Sequence, residues 1–196
     1  MALFRRSRNT SPAPLFVAVH LNARVQPVHR GSVYEDPLQA AFDQYLPGSQ
    51  LVGGGSEFDP ESGVLSCDTE VTLVGERERA VDILVQCLEF QGAPVGSSYT
   101  VEGEAPVPFG RTHGVALSLD GKTLPDEVYA DNDVNDLVSA LTEELGDAAD
   151  LQSWWEGPER TDLFFYGEDK ARIRAVLESA PDTSPLARNS RVEDLT

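Results

Sequence analysis

The sequence predicts an α+β fold in which one β-α-β-β-α-β unit is used twice. Three observations predict it. The stretch 71–89, VTLVGERERAVDILVQCLE, returns at 163–180 as LFFYGEDKARIRAVLESA; each copy has alternating apolar residues, a Gly-Glu turn, then apolar residues at i, i+3 and i+4. Gly75 aligns with Gly167, and the same offset carries Leu73 to Phe165, Val81 to Ile173, Leu84 to Val176 and Val85 to Leu177. A second offset, upstream, matches Leu38 to Leu137, Ala41 to Ala140, Phe42 to Leu141 and Leu46 to Leu145.

Residues 1–14 carry basic residues followed by Asn, Thr, Ser and Pro where a signal peptide needs an apolar run. They read as a disordered tail. The first strand, 15–21, places Leu15, Val17, Val19 and Leu21 on one side and Phe16, Ala18, His20 and Asn22 on the other. A loop over 23–35 leads to Asp36, a helix N-cap with Pro37 at the first helical position. Leu38, Ala41, Phe42, Tyr45 and Leu46 form the buried stripe before Pro47-Gly48. The next strand, 50–58, contains Gly53-Gly54-Gly55. Neither Lys-Ser/Thr nor a helix follows the glycines, which favours a β-bulge over an anion-binding loop. A turn at 59–63 leads into a strand over 64–74, a helix over 77–90 ending at Gly92, and a strand over 98–102.

The Pro- and Gly-containing stretch 103–113 reads as a linker between units at 15–102 and 114–196. The second unit repeats the order: a strand at 114–120, a helix from the N-cap Asp133 to Leu145, a hairpin of 151–156 with 163–166, a helix at 171–180 and a closing strand at 191–195. Two helices on one face of a four-stranded antiparallel sheet is the ferredoxin-like arrangement, so the expected fold is two tandem ferredoxin-like units. Each sheet then keeps one face free of helices. In the first unit Leu65, Cys67, Thr69, Val71 and Leu73 should meet the helices, leaving Asp68, Glu70 and Thr72 beside His20 and Asn22. In the second unit the open face receives Ala116, Ser118, Phe164 and Tyr166, with Trp154 or Trp155 on the neighbouring strand.

A formal net charge of −18 disfavours nucleic acid and anionic membranes as partners, because phosphates must be met by Lys and Arg. It suits a basic protein. No apolar run is long enough to span a bilayer, and the expected location is cytoplasmic. Cys67 and Cys87 are expected to be reduced core residues, and no motif for a cofactor or metal is present. The strongest charge feature is 126–150, where Asp126, Glu127, Asp131, Asp133, Asp136, Glu143, Glu144, Asp147 and Asp150 occur without a Lys or Arg. The expected partner-binding surface joins Asp136, Glu143, Glu144 and Asp147 to the aromatic residues Trp154, Trp155, Phe164 and Tyr166.

An aromatic open face must be covered. The alternatives are packing of the two sheets against each other, a homodimer, or docking of another protein. The residues most like an active site are His20, Asn22, Arg24, His29 and Arg30, with Asp68 and Glu70 across the strand pair. A His beside carboxylates suits general acid–base chemistry or a divalent metal, although no recognised ligand spacing is met.

The motifs LNARVQPVHRG, EDPL, GGG and CDTEV resemble a pattern in uncharacterised bacterial proteins of duplicated ferredoxin-like form, and bring no activity with them. In size, acidity and lack of catalytic motifs the chain is similar to immunity proteins and antitoxin-like inhibitors. That similarity implies a non-catalytic inhibitor of a basic protein. A small-molecule-binding regulatory protein and an enzyme built on His20, Asn22, Arg24 and Asp68 are the alternatives.

Overall fold

The computed structural model describes residues 13–196, so the tail expected over 1–14 lies almost entirely outside the described residues. Two antiparallel sheets organise the rest. The first contains β1 (Leu15–Leu21), β2 (Gln50–Asp59), β3 (Gly63–Leu73), β4 (Ser97–Val101) and β5 (Val107–Phe109) in the order β2-β3-β1-β4-β5. The second contains β6 (His113–Asp120), β7 (Asp150–Glu156), β8 (Arg160–Gly167) and β9 (Arg191–Asp194) in the order β7-β8-β6-β9. Within each unit the first and third strands are central and the fourth lies beside the first. The chain is therefore α+β, with two tandem ferredoxin-like units.

The internal correspondence has a packing cause. In the first unit, Leu38 and Phe42 of α2 (Asp36–Tyr45) and Val81, Leu84 and Leu88 of α3 (Arg77–Phe90) cover Val17, Val19, Leu21, Val71 and Leu73. In the second, Leu137, Leu141 and Leu145 of α5 (Val134–Leu145) and Ile173, Val176 and Leu177 of α6 (Lys170–Glu178) cover Val115, Leu117, Leu163 and Phe165. The matched residues are thus the inward stripes of equivalent helices. Each such side chain contributes about 1.5–3 kcal/mol on burial. Caps fix where the helices start: the Glu76 carboxylate accepts from the N–H groups of Glu78 and Arg79, and Asp133 accepts from that of Asn135.

Several elements differ from expectation. The 23–35 segment is not all loop, because α1 (Pro27–Arg30) and a π-helical turn (Gly31–Glu35) run directly into α2. Asp36 is accordingly no N-cap. Its own backbone is helical and its N–H donates to Gly31 O. Pro37 has no N–H to donate and its ring crowds the carbonyl four residues back, so the wider i→i−5 turn just before it lets the helix pass through the proline. The 103–113 stretch carries β5, which pairs with β4. The acidic segment after β6 holds a further short helix, α4 (Asp126–Asp131), and α7 (Ala180–Thr183) follows α6.

The bulge expected at the glycines is present: Val52 is the extra residue between the Leu51 and Gly53 pairings with β3. Cys67 is buried and Cys87 half-buried, both as free thiols. Burial pushes the Cys67 thiol up to about 12. Among the described residues no helix is long and apolar enough to cross a membrane.

Candidate functional site

The two helix-free sheet faces have different fates. On the first sheet His20 pairs with Asp68 across β1 and β3, and Ala18 with Glu70. His20 Nδ1 lies 2.9 Å from Asp68 Oδ1, and the two side chains are 44% and 53% exposed. This face stands in solvent. On the second sheet Ala116, Phe164 and Tyr166 are buried, and so is Trp155.

Within the chain the cover comes from the first unit, chiefly from the segment that follows β1, with Gly63 at the start of β3 against Trp155. The Arg24 N–H donates to Tyr166 Oη at 2.8 Å, and the guanidinium carbon stands 5.9 Å from the centre of the Phe164 ring. The Gln26 N–H donates to Ser153 Oγ at 3.1 Å, and its side-chain amide donates to the Trp154 carbonyl. His29 Nδ1 lies 2.8 Å from the same Ser153 hydroxyl, and its ring sits 4.0 Å from that of Trp154. Deeper in, Tyr34 Oη donates to Gln152 Oε1 at 2.9 Å, while Gln152 Nε2 donates to Gln91 O at 3.1 Å. Burial of His29 lowers its pKa below the ordinary histidine value, and burial holds the Tyr34 and Tyr166 hydroxyls well above theirs.

Both sets of residues expected from sequence are consequently divided. Of the polar cluster, His20, Asp68 and Glu70 share the exposed face of the first sheet. Asn22 turns its amide to Val95 O at 3.0 Å, and Arg24 and His29 are committed to the junction between the units. They do not converge on one centre. Arg30 is engaged elsewhere, donating to Glu35 Oε1 and Gly55 O at 2.6 Å each. Of the partner-binding set, Trp155, Phe164 and Tyr166 are 8%, 0% and 2% exposed and offer no docking surface, whereas Trp154 is 45% exposed.

The acidic members of that set lie elsewhere on the second unit. Asp136, Glu143, Glu144 and Asp147 lie exposed on α5 and the 3-10 turn Gly146–Ala148, on the helical side of the second sheet. Among the described residues, none of the nine carboxylates in 126–150 forms a salt bridge.

A further site was not expected from sequence. The part of the second sheet's open face that the 22–35 segment leaves uncovered forms the floor of a cleft of about 690 Å³. The cleft lies where the β2–β3 turn of the first unit, with Pro60 and Glu61, overhangs β6, the β7–β8 turn and β9. One cross-strand row crosses this face: Trp155 opposite Asp162, Asp162 opposite Ser118, Ser118 opposite Arg191. Gly63 makes the overhang possible: its φ is +75°, and a Cβ there would fall 2.5 Å from Trp155 Cγ. Asp162 is 2% exposed. Its Oδ2 accepts from Arg160 Nε at 3.0 Å, while Oδ1 has no partner. An unpaired buried acceptor costs about 1–3 kcal/mol. A carboxylate beside the apolar run Leu163 to Tyr166 was the available sequence signal. It falls outside the strand expected over 163–166, whereas β8 begins three residues earlier, at Arg160. Among the described residues no cluster of His, Cys, Asp and Glu suits a metal ion.

No protein-family model and no curated relative matches the sequence. Solved structures similar to this chain include an unknown protein from Galdieria sulphuraria, 12% identical, with 93% of this chain and 96% of that one covered and a TM-score of 0.28. The regulatory subunits of aspartate kinase from Thermus thermophilus and Thermus flavus are 14% and 11% identical. They cover 86% of this chain in each case and 92% and 93% of their own, with TM-scores of 0.27 and 0.26. Likeness of this degree says nothing about activity.

Proposed function

We propose that the chain is a non-catalytic binding protein that captures a basic protein through the acidic helical face of its second unit, in the manner of an immunity or antitoxin-like inhibitor. The observation that carries this reading is the row of exposed carboxylates in 126–150, none of them in a salt bridge among the described residues. Crowded like charges repel one another, and apart from the helix cap at Asp133 they contribute nothing evident to the fold. A basic surface would relieve that repulsion, accelerate encounter and select against acidic competitors. Trp154, exposed on the edge strand β7, supplies an aromatic anchor on the same unit.

The test is capture of partners by the tagged protein at low and high salt, repeated with Asp136→Lys, Glu143→Lys and Glu144→Lys combined. The expected result is a basic partner whose retention falls with salt and is weakened by about tenfold or more in the triple variant, with unchanged circular dichroism. Equal retention by the folded triple variant overturns the reading.

A further inference from the structure

The chain enters the first sheet beside a groove. Val17 and Val19 of β1 pair with Val101 and Tyr99 of β4, and the Glu102 N–H donates to Phe16 O at 3.4 Å, so the start of β1 lies next to the turn between β4 and β5. Between that turn and the first two turns of α3 the surface opens into a groove of about 180 Å³. Its apolar lining comes from Val81, Tyr99, Val101 and Val107, of which Val107 is 42% exposed. A drug-sized ligand takes about 300–1,000 Å³, so this volume suits one large apolar side chain instead.

Charge at the edge selects what accompanies that side chain. Arg77 and Glu104, both lining residues, pair with each other. Glu78 and Asp82, one turn apart on α3, also line the groove and are exposed, and among the described residues neither forms a salt bridge. Like charges at this spacing repel, and a cation set against them relieves the repulsion. A matching segment lies upstream in the same chain: Leu3 and Phe4 precede Arg5, Arg6 and Arg8, a dense basic stretch in a sequence of net charge −18. Residues 5–12 separate Phe4 from Ala13, where the described residues begin, and extended they span about 30 Å. Such a tether holds Phe4 at a local concentration on the order of millimolar, so a weak contact suffices. We infer that this groove receives the chain's own segment 3–8, with Phe4 in the apolar part and the arginines against Glu78 and Asp82. The groove belongs to the first unit, and the inference does not rest on the function proposed for the acidic face of the second.

The experiment is nuclear magnetic resonance of the full chain at low salt, reading Overhauser contacts from the Phe4 ring protons and comparing amide shifts with two variants. One variant is Phe4→Ser; the other combines Arg5→Glu, Arg6→Glu and Arg8→Glu. Contacts from Phe4 to the methyl groups of Val81, Val101 and Val107 are expected, at an intensity that does not depend on protein concentration. Both variants should move the amides of 77–82 and 99–107. In the charge-reversed variant the Phe4 contacts should weaken by about fivefold or more, as they should in the natural chain at high salt. Adding Glu78→Lys and Asp82→Lys, both at exposed positions, to the charge-reversed chain should restore them. The inference is overturned if Phe4 makes no contact with the groove, or if the amides of 77–82 and 99–107 stay in place in both variants. It is overturned equally by shifts confined to 126–150, or by contacts that vanish on dilution, which would put the segment on a second copy.

Discussion

The helix-free faces of the two sheets share a topology and differ in what they carry. The first presents His20, Asp68 and Glu70, which water can satisfy, and it stays in solvent. The second presents Ala116, Phe164 and Tyr166, which water cannot satisfy, and it lies beneath Arg24, Gln26 and His29. Duplication supplied the frame, and composition decided which face had to find a cover. The covering segment also uses the polar atoms at the junction: Tyr166, Ser153 and Gln152 each bond a group from the first unit, so the contact is specific as well as apolar.

Truncating the buried face should have the largest effect. Phe164→Ala is expected to cost about 3–5 kcal/mol in urea denaturation. A cost near zero would mean the cover is not seated in solution. Next comes Tyr166→Phe, which leaves the Arg24 N–H without its acceptor and should cost about 1–3 kcal/mol while leaving the ring in place. A smaller effect is expected from pH. His29 has its pKa lowered by burial, so the unfolded chain, with a value near 6.5, takes up the proton first. The contribution of neutral His29 is present above that value and is lost as pH falls from about 6.5 towards the folded value. Melting temperature should therefore drop more between about pH 7.5 and 5.5 in the natural chain than in His29→Asn. Equal drops would remove His29 from the junction's energetics. Smallest of all, Phe16→Ala on the exposed face should change stability by no more than about 0.5 kcal/mol. A core-sized loss there would make the two faces alike.

Much of this was legible in the residues. Strand and helix periods located β1, α3 and α5, because each buries one face against its own unit and writes that face as a repeat of two or of 3.6. The segment 22–35 was not legible, since it serves two masters. Val25 and Tyr34 point into the first core, while Arg24, Gln26 and His29 point to the second sheet, and the mixture reads as a loop. The proline at 37 added a false start signal that the π-helical turn cancels. The residues of the second open face were assigned correctly except between the two tryptophans: the bulge at Gln152 shifts the register of β7, and Trp155 rather than Trp154 turns inward. Asp162 escaped because its character depends on burial and on an unpaired oxygen, and neither is a property of residue type.

The position of the cover along the chain has a consequence at the ribosome. Residues 22–35 emerge well before Phe164 and Tyr166, and at roughly 5–20 residues per second the interval is several seconds, longer than most small domains need to fold. The aromatic face thus leaves the exit tunnel to find its shelter already built. A circular permutant that begins at 114 would reverse the order and present that face nascent and bare, so its yield of soluble product would depend on chaperones in a way the natural order avoids.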